Sequence, residues 1–301
     1  MANLFSTIQT ALQAVPEKTI LQSLSGDALT AQALLDSADK MAAVLAGYGV
    51  QPGDRVSVQV DKDFLNVILY LGVLKAGAAY LPLNSGYTDD EIEYFLSDAA
   101  PRVHVCTTQR AQASEAIAER LGGTRVATLD LDGGSLREHF EQQSEGFGPA
   151  IPRQPADLAS ILYTSGTTGK PKGAMLTHQN LAANAQMLTQ AWEYSGQDAL
   201  LHALPLFHVH GLFVALNLAL VNAGKVVLLP KLDIDAVMQA MPDCTVMMGV
   251  PTYYTRLLSD TRFNQASAAH MRLFISGSAP LLVETSNEFF ERTGHRILER
   301  Y

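Results

Sequence analysis

Two stretches of the chain repeat one order of elements, and this order limits the fold more than any other feature. The segments YLGVLKAGAAYLPL, from Tyr70, and NLALVNAGKVVLLP, from Asn217, each read as an apolar helix, an Ala-Gly stop and a strand that ends at proline. A helix that stops at glycine and is followed by a strand is the second half of a βαβ crossover. Crossovers of this kind join parallel strands. The sequence therefore predicts an α/β protein whose sheets are mostly parallel.

Short runs rich in valine predict further strands. Three of them begin with an arginine, at Arg55, Arg102 and Arg125. Alternating β-branched residues of this length are typical of strands. Helical spacing separates the runs, for example over residues 89–96, where Thr88 is a suitable N-cap and acidic residues occupy the first turn.

The weakest pattern occurs over residues 132–157, which are rich in Gly, Pro, Gln and Glu. Such a composition is typical of a surface connection. We therefore expect this region to connect two α/β subdomains, residues 1–150 and residues 151–301. The second subdomain is expected to carry the functional segments described below.

Charge and cysteine content exclude several classes of protein. Lys and Arg number 21 and Asp and Glu number 30, so the net charge of −9 has the wrong sign for binding a nucleic-acid backbone. Cys106 and Cys244 lie in apolar runs and are predicted to be buried, reduced thiols. The N-terminus lacks the pattern of a signal peptide, and the apolar stretches 64–74 and 211–221 are too short to span a bilayer. We expect buried helices there, no membrane partner and a cytoplasmic location.

Residues 163–178 read YTSGTTGKPKGAMLTH and lie between two predicted strands, LASILYT and GAMLT. Thr177 is placed to cap a helix that begins near Asn180. Gly166, Gly169 and Gly173 allow the backbone to turn successive N–H groups toward one anion. Hydroxyl donors and positive charges come from Thr164, Ser165, Thr167, Thr168, Lys170 and Lys172. The segment predicts a binding loop for polyphosphate.

This loop differs from the common nucleotide P-loop. The pattern G-x-x-x-x-G-K-[ST] needs glycine where this chain has Thr164, and Ser or Thr where it has Pro171. A kinase or GTPase is therefore disfavoured. A flexible polar hairpin without function is the alternative, and it accounts for the glycines and hydroxyls but not for two lysines without an acid.

The loop resembles the signature of the adenylate-forming superfamily, [YF]TSGTTGxPKG, which includes acyl-CoA synthetases, luciferases and nonribosomal-peptide adenylation domains. Further similar segments extend over nearly the whole chain: YLPLN at 80, ALPLFHVHGL at 203, GVPTYYTRL at 249, FISGSAPL at 274 and LERY at 298. Within the superfamily, these segments are most similar to malonyl-CoA synthetases, also called malonate-CoA ligases. The resemblance implies two packed αβαβα-type subdomains and a reaction that uses malonate, ATP, Mg²⁺ and coenzyme A.

Members of that family join malonate to the AMP of ATP, release pyrophosphate and pass the malonyl group to the thiol of CoA. The reaction requires the α-phosphate to be aligned with the attacking carboxylate and the departing pyrophosphate to be stabilised. The resemblance assigns the second task to residues 164–173, with Thr164 and Lys172 catalytic and the Thr164 hydroxyl near Mg²⁺. It also implies ATP contacts at Gly277, Ala279, Pro280, Glu299, Arg300 and Tyr301.

The resemblance also places the acid. Arg256, on a helix predicted to start near Pro251, is assigned to the second carboxylate of malonate, because a guanidinium binds a carboxylate through two parallel bonds. Taken alone, an arginine on a helix is usually a solvated surface residue. Ser278 adds a hydroxyl or N–H to the same carboxylate, Gly277 permits close approach of the acyl-adenylate, and His208 approaches the reacting carboxylate. Met248 and Gly249 complete the expected acid contacts.

Two other sites compete with this assignment. The segment ISGSAP does not match the G-x-S-x-G of a hydrolase, so Ser278 is not predicted to be a nucleophile. His208, with His202 and His210 close by in sequence, suggests a zinc site in which two histidines on one strand chelate the metal, but no third ligand is evident. A core histidine is the remaining alternative for His208.

The sequence ends at LERY. In the family this tyrosine, here Tyr301, stacks on adenine and is followed by further binding residues, a β-barrel subdomain and a small C-terminal domain. We expect the 301 residues to be part of a longer malonate ligase. A ligase for another short acid, such as methylmalonate, succinate or acetate, and a truncated fragment that binds ATP or acid without catalysis are the alternatives.

Overall fold

The computed structural model describes residues 3–164 and 171–300. The chain divides into two compact units. Unit 1 comprises Met1–Thr10 and Gln32–Asn184, and unit 2 comprises Ala11–Ala31 and Ala185–Tyr301. The chain therefore passes between the units at residues 10/11, 31/32 and 184/185, where the sequence suggested a single boundary at 150/151.

Within the described residues the chain forms thirteen strands, eleven α-helices and one π-helical segment, His210–Leu216. The strands are β1 (Thr19–Gln22), β2 (Ala28–Thr30), β3 (Arg55–Gln59), β4 (Ala79–Pro82), β5 (Val103–Cys106), β6 (Arg125–Thr128), β7 (Leu158–Thr164), β8 (Lys172–Thr177), β9 (Ala199–His202), β10 (Lys225–Leu228), β11 (Val246–Gly249), β12 (Leu273–Gly277) and β13 (Ile297–Arg300). The α-helices are α1 (Leu4–Gln13), α2 (Ala31–Gly47), α3 (Phe64–Lys75), α4 (Asp89–Ala99), α5 (Ala111–Leu121), α6 (Ser135–Gln142), α7 (His178–Ala191), α8 (Asn217–Val221), α9 (Ile234–Ala240), α10 (Pro251–Leu258) and α11 (Val283–Thr293).

Unit 1 is built on a six-stranded sheet with the order β6-β5-β3-β4-β7-β8. All neighbours are parallel except β7 and β8, which form an antiparallel hairpin. Helix α3 is buried along nearly its whole length, as its apolar sequence predicts, and the side chain of Asp63 caps it by accepting from Asn66 N at 2.7 Å.

The predicted connection between subdomains was wrong. Residues 132–157 contain α6 and join β6 to β7, which are strands of the same sheet. The reason is that β7 pairs with β4, with Tyr80 opposite Ser160, while β6 is the far edge strand. This segment therefore crosses one sheet and does not join the two units.

Unit 2 is built on a seven-stranded sheet with the order β13-β12-β11-β9-β10-β1-β2. Its strands run parallel except for the antiparallel pair β1 and β2. The N-terminal strand β1 pairs with β10, which brings residues 19–30 into the second unit. This pairing is why the chain passes between the units more than once.

Several sequence-based expectations are confirmed. The runs at Arg55 and Arg125 begin β3 and β6, and Thr88 forms a reciprocal capping box with Glu91 at the start of α4. Cys106 and Cys244 are buried and free. The α/β class with mostly parallel sheets is confirmed as well. Among the helices of the described ranges, none is long and apolar enough to cross a membrane.

Candidate functional site

The predicted phosphate loop begins and ends at the two strands of the unit 1 hairpin. Strand β7 ends at Thr164 and β8 begins at Lys172, and these two residues are paired across the hairpin. The side chains of both are exposed. At the other end of β8, Thr177 Oγ1 accepts from Asn180 N at 3.1 Å, which confirms the predicted cap of α7.

Two tyrosines fix the base of this hairpin to α4. Tyr94 donates its hydroxyl to the carbonyl of Pro171 at 2.8 Å, and Tyr163 donates to Asp98 Oδ2 at 2.5 Å. Burial, and then the hydrogen bond to Asp98, raise the pKa of Tyr163, so the phenol stays protonated and remains a donor. Both ends of the loop therefore start from anchored backbone.

Gly173 follows the loop directly. A Cβ at this position would lie 2.9 Å from Cγ2 of Ile161, on the neighbouring strand. The predicted phosphate contacts at the tip of the loop, and the predicted adenine contact, lie outside the described residues: Ser165, Gly166, Thr167, Thr168, Gly169, Lys170 and Tyr301.

The predicted acid contacts gather in unit 2, at the carboxyl ends of the parallel strands β9, β11, β12 and β13, which we call the carboxyl edge. Gly249 pairs with Ser276, and Gly277 pairs with Arg300, so the last residues of three neighbouring strands lie side by side. The strand order reverses between β9 and β11. Parallel sheets usually bind ligands at the carboxyl end of the strands, at such a reversal.

The segments that follow β11 and β9 meet at this reversal. Helix α10 starts at Pro251, as predicted, and Tyr253 in its first turn donates its hydroxyl to the carbonyl of Ala203 at 3.3 Å. The side chain of Tyr253 also packs against Gly249, where a Cβ would lie 3.1 Å from the tyrosine Cβ. Tyr253 thus bridges the ends of two adjacent strands.

Arg256 lies one turn further along α10 and is exposed. Burial raises the pKa of Tyr253, and the charge of Arg256 offsets part of that rise, so the guanidinium acts electrostatically on the phenol at the carboxyl edge. The remaining predicted residues occupy the expected strand ends. Met248 is buried in β11, Ala279 and Pro280 follow β12, and Glu299 and Arg300 end β13.

Ser278 occupies the turn directly after β12. Its backbone φ is 69°, in the left-handed region that residues with a Cβ rarely adopt. Its Oγ lies 3.4 Å from Nδ1 of His210. At Gly277, a Cβ would lie 2.9 Å from the carbonyl oxygen of Arg300 and 3.1 Å from Cε1 of His210, so only glycine fits there without displacing a neighbour.

The two histidines of the segment FHVHG differ. His208 is exposed on one side and stacks edge-on against Phe207, with ring centroids 4.5 Å apart, and partial burial lowers its pKa. His210 is buried. From the sequence, His210 was considered only as a possible zinc ligand, whereas in the structure His210 contacts Ser278. Tyr253 was also missed as a contact of this edge, because no sequence signal indicated its bond to Ala203.

Metal binding depends on which side chains the described part of the chain brings together. Across residues 3–164 and 171–300, no group of three or more His, Cys, Asp or Glu side chains is placed to hold a metal ion. The exposed hydroxyl of Thr164 is a hard oxygen donor of the type that Mg²⁺ accepts, so such an ion fits this chain only where phosphate oxygens supply most of its ligands.

The hairpin and the carboxyl edge define a class of protein. An α/β chain with a loop rich in glycine, hydroxyls and lysine, and with glycines and basic residues at the ends of parallel strands, has the construction of a protein that binds phosphate-bearing small molecules. The sequence profile of the AMP-binding enzyme family matches residues 8–301, and the chain belongs to this family. The family resemblance drawn from the sequence is thereby confirmed.

Known proteins of this kind are similar over most or all of the chain. Crystal structures of MatB from Rhodopseudomonas palustris, without ligand and with ATP bound, are 46% identical with a TM-score of 0.95, covering 100% of this chain and 59% of MatB. A malonate–CoA ligase of Arabidopsis thaliana is 32% identical over 280 residues, covering 85% of this chain and 45% of the relative. A long-chain-fatty-acid–CoA ligase of Bacillus subtilis (strain 168) is 33% identical over 324 residues, covering 95% and 57%. The chain spans about half the length of the curated relatives it matches.

Proposed function

We propose that this chain is part of an AMP-forming ligase that joins malonate to coenzyme A. In the first step a malonate oxygen attacks the α-phosphorus of ATP, forming the O–P bond of malonyl-AMP while the bond to pyrophosphate breaks. In the second step the CoA thiolate attacks the acyl carbon, and AMP leaves with the bonding electron pair. Membership of the AMP-binding enzyme family and two curated relatives named as CoA ligases support this reaction type.

The hairpin of unit 1 is proposed to hold the phosphates of ATP. Thr164, Lys172 and Gly173 bracket the loop, and the tyrosine anchors at Pro171 and Asp98 hold its base in place. Preorganised N–H groups and a lysine stabilise the negative charge that develops on the leaving pyrophosphate. Bound Mg²⁺ would neutralise phosphate charge further, with the Thr164 hydroxyl as the protein donor.

The acid is proposed to bind at the carboxyl edge of unit 2. The observation that supports this choice is the position of Arg256, which lies one helical turn beyond Tyr253 on α10, the helix that follows β11, and acts electrostatically on Tyr253. A fixed cation in that position favours an acid with a second carboxylate, since a monoacid leaves the guanidinium without its partner. Ser278, Met248 and Gly249 are proposed to line the same site.

His208 is proposed to contact the reacting carboxylate. Because partial burial lowers its pKa, the imidazole is neutral at pH 7 and offers one N–H donor without adding a second full charge. Gly277, Ala279, Pro280, Glu299, Arg300 and Tyr301 are proposed ATP contacts. The cytoplasmic location stays a prediction, and one similar malonate–CoA ligase, from Mus musculus, is named as mitochondrial.

The identity of the acid needs an experiment, because a relative named for long-chain fatty acids is as similar as one named for malonate. Pyrophosphate release by the full-length ligase proposed here should be measured with malonate, methylmalonate, succinate and acetate in the presence of ATP and CoA. We expect the highest kcat/KM for malonate, with methylmalonate second, because a pocket rejects one extra methyl group only weakly.

Arg256→Ala tests the role of the arginine directly. We expect it to lower kcat/KM for malonate about 100-fold while changing that for acetate less than about threefold. Arg256→Lys is the matched control, which keeps the charge but loses the parallel pair of bonds and is expected to fall between the two. Equal losses for malonate and acetate would remove Arg256 as the residue that selects a diacid.

A further inference from the structure

A buried histidine supports the turn at the end of β12. His210 is 5% exposed and opens the π-helical segment, and its Nδ1 lies 3.4 Å from Oγ of Ser278. The ring also lies against the backbone of Gly277, where even a methyl group would come within 3.1 Å of it. His210 therefore contacts the turn through both its nitrogen and its ring edge.

The backbone of this turn indicates that the serine side chain is used. Ser278 has a φ of 69°, which glycine adopts freely and residues with a Cβ rarely do. Glycine would relieve the strain but would remove the hydroxyl. Strained residues of this kind concentrate at functional sites, and Ser278 follows directly on the end of β12 at the carboxyl edge.

The position of the ring proton decides what this hydroxyl can do. Burial, and then the charge of Arg300, lower the pKa of His210 to about 4, so the ring is neutral at pH 7 and carries one N–H. With the proton on Nε2, Ser278 must donate to Nδ1, and only its lone pairs face the site. With the proton on Nδ1, Ser278 accepts from the ring and its own O–H is available to a ligand.

Two observations favour the second arrangement. Nε2 of His210 is buried and has no hydrogen-bond acceptor among residues 3–164 and 171–300, and a buried N–H without an acceptor is rare in folded proteins. A carboxylate, in addition, accepts hydrogen bonds but cannot donate them, so a serine hydroxyl that contacts a bound acid has to be the donor.

We propose that His210 is a positioning residue, which donates from Nδ1 to Ser278 and so directs the serine O–H toward a carboxylate of the bound acid. The inference rests on the proposed function in one respect, that the acid binds at the carboxyl edge. His210 itself does not touch the reacting atoms. Its role is to determine which end of the Ser278 hydroxyl the acid meets.

Two amide variants of His210 separate positioning from packing. Asn places its amide nitrogen near the position of Nδ1, whereas Gln reaches the position of Nε2. In the full-length ligase we expect His210→Asn to keep KM for the acid within about threefold. We expect His210→Gln and Ser278→Ala each to raise this KM about tenfold, the size expected for losing one hydrogen bond to a charged group. The double variant His210→Gln/Ser278→Ala should raise KM no further than Ser278→Ala alone.

KM for ATP is expected to stay unchanged in all of these variants, and His270→Asn, which alters an exposed histidine, serves as the control. Additive effects of His210→Gln and Ser278→Ala overturn the inference. Equal effects of the Asn and Gln variants, or a rise in KM that follows a fall in the thermal unfolding midpoint, also overturn it, because either result indicates packing alone.

The unaltered protein is assayed first against the four acids, which keeps the two proposals apart. If another acid is preferred over malonate, the proposed substrate is wrong, and the same variants measured with the preferred acid still decide the role of His210. If malonate is preferred and the double variant is additive, only the positioning role fails. A protein that turns over no carboxylic acid overturns both.

Discussion

The two sheets have the same strand order at their centres, but different side chains lie at the carboxyl ends of those strands. In each, one strand is central and the next two strands along the chain lie on either side of it: β4 and β5 beside β3, and β10 and β11 beside β9. In unit 2 this reversal is framed by Gly249 and by Tyr253, whose hydroxyl reaches Ala203. A glycine and one bridging side chain therefore mark the strand ends at this reversal.

In unit 1 the end of the central strand β3 is hydrogen-bonded to the segment that follows β4. The buried side chain of Gln59, at the end of β3, donates to the carbonyls of Asn84 and Tyr87 at 3.0 and 3.2 Å. In unit 1 the predicted phosphate loop instead joins the two strands of the hairpin, β7 and β8. A shared strand order therefore offers a possible ligand site in both sheets. Whether a ligand binds there depends on the side chains at the strand ends.

The largest expected effect concerns the hairpin. We expect Lys172→Ala to lower acid-dependent pyrophosphate release about 100- to 1,000-fold, because one preorganised donor to developing charge is worth that much. The loss of activity should be the same for every acid, because the hairpin is assigned to ATP. The loss caused by Arg256→Ala should instead differ from one acid to another. Lys172→Arg keeps the charge and serves as the control. A loss confined to malonate would contradict the division of tasks between the two units.

A smaller effect is expected at the carboxyl edge, from crowding the segment that carries His210. A Cβ on Gly211 would lie 2.1 Å from the carbonyl oxygen of Pro205, which is backbone and cannot move aside easily. We expect Gly211→Ala to lower the free energy of unfolding by about 3 kcal/mol in chemical denaturation. Gly47→Ala is the control, because no described atom lies within 4 Å of its Cβ position and alanine is the better helix former. Equal stability of the two variants would show that the edge is not closely packed.

The smallest expected effect lies between the neighbouring strands β3 and β5 of unit 1. His104 on β5 is buried and its Nδ1 is 2.9 Å from Oγ of Ser57 on β3. Burial, and then the charge of Arg110, lower its pKa from 6.5 to about 4. Between pH 4 and pH 6.5, His104 therefore binds a proton in the unfolded chain but not in the folded chain. Its contribution to the free energy of unfolding is complete above pH 6.5 and is lost as the pH falls toward 4.

We expect this histidine to account for about 2 kcal/mol of the stability lost between pH 7 and pH 5. His104→Asn keeps a hydrogen-bonding group near Ser57 but does not titrate, so the free energy of unfolding of this variant should vary less with pH. His270→Asn, at an exposed position, should leave the pH dependence unchanged. If His104→Asn also leaves the pH dependence of the free energy of unfolding unchanged, burial does not keep the ring of His104 neutral in the folded protein.

The features that the sequence predicted well are contiguous along the chain. The hairpin strands, the Thr177 cap, the buried helix α3 and the capping box at Thr88 all follow from residues within one short segment. Their hydrogen bonds join neighbours in sequence, so local rules suffice. The phosphate loop, which stays a prediction, was inferred in the same local way, because its glycines, hydroxyls and lysines occupy neighbouring positions.

The features that the sequence missed depend on residues far apart in the chain. The pairing of β1 with β10 joins Leu21 to Val226, and nothing in either strand specifies the other. The region 132–157 was interpreted from composition, which indicates exposure but not which strands a connection joins. Its true role follows only from the pairing of β7 with β4.

By itself, the sequence determined the α/β class with mostly parallel sheets, several of the helices and strands, and the family, since these depend on local periodicity and on motifs of consecutive residues. Only the tertiary structure decided that the ends of β11, β12 and β13 lie together, that Tyr253 bridges to Ala203, and that His210 lies against Ser278. The physical reason is that parallel strands are joined through crossovers, so residues that share a sheet edge are separated by a helix or more in sequence. Side-chain direction and burial at such an edge are properties of the packed sheet, and no single segment carries them.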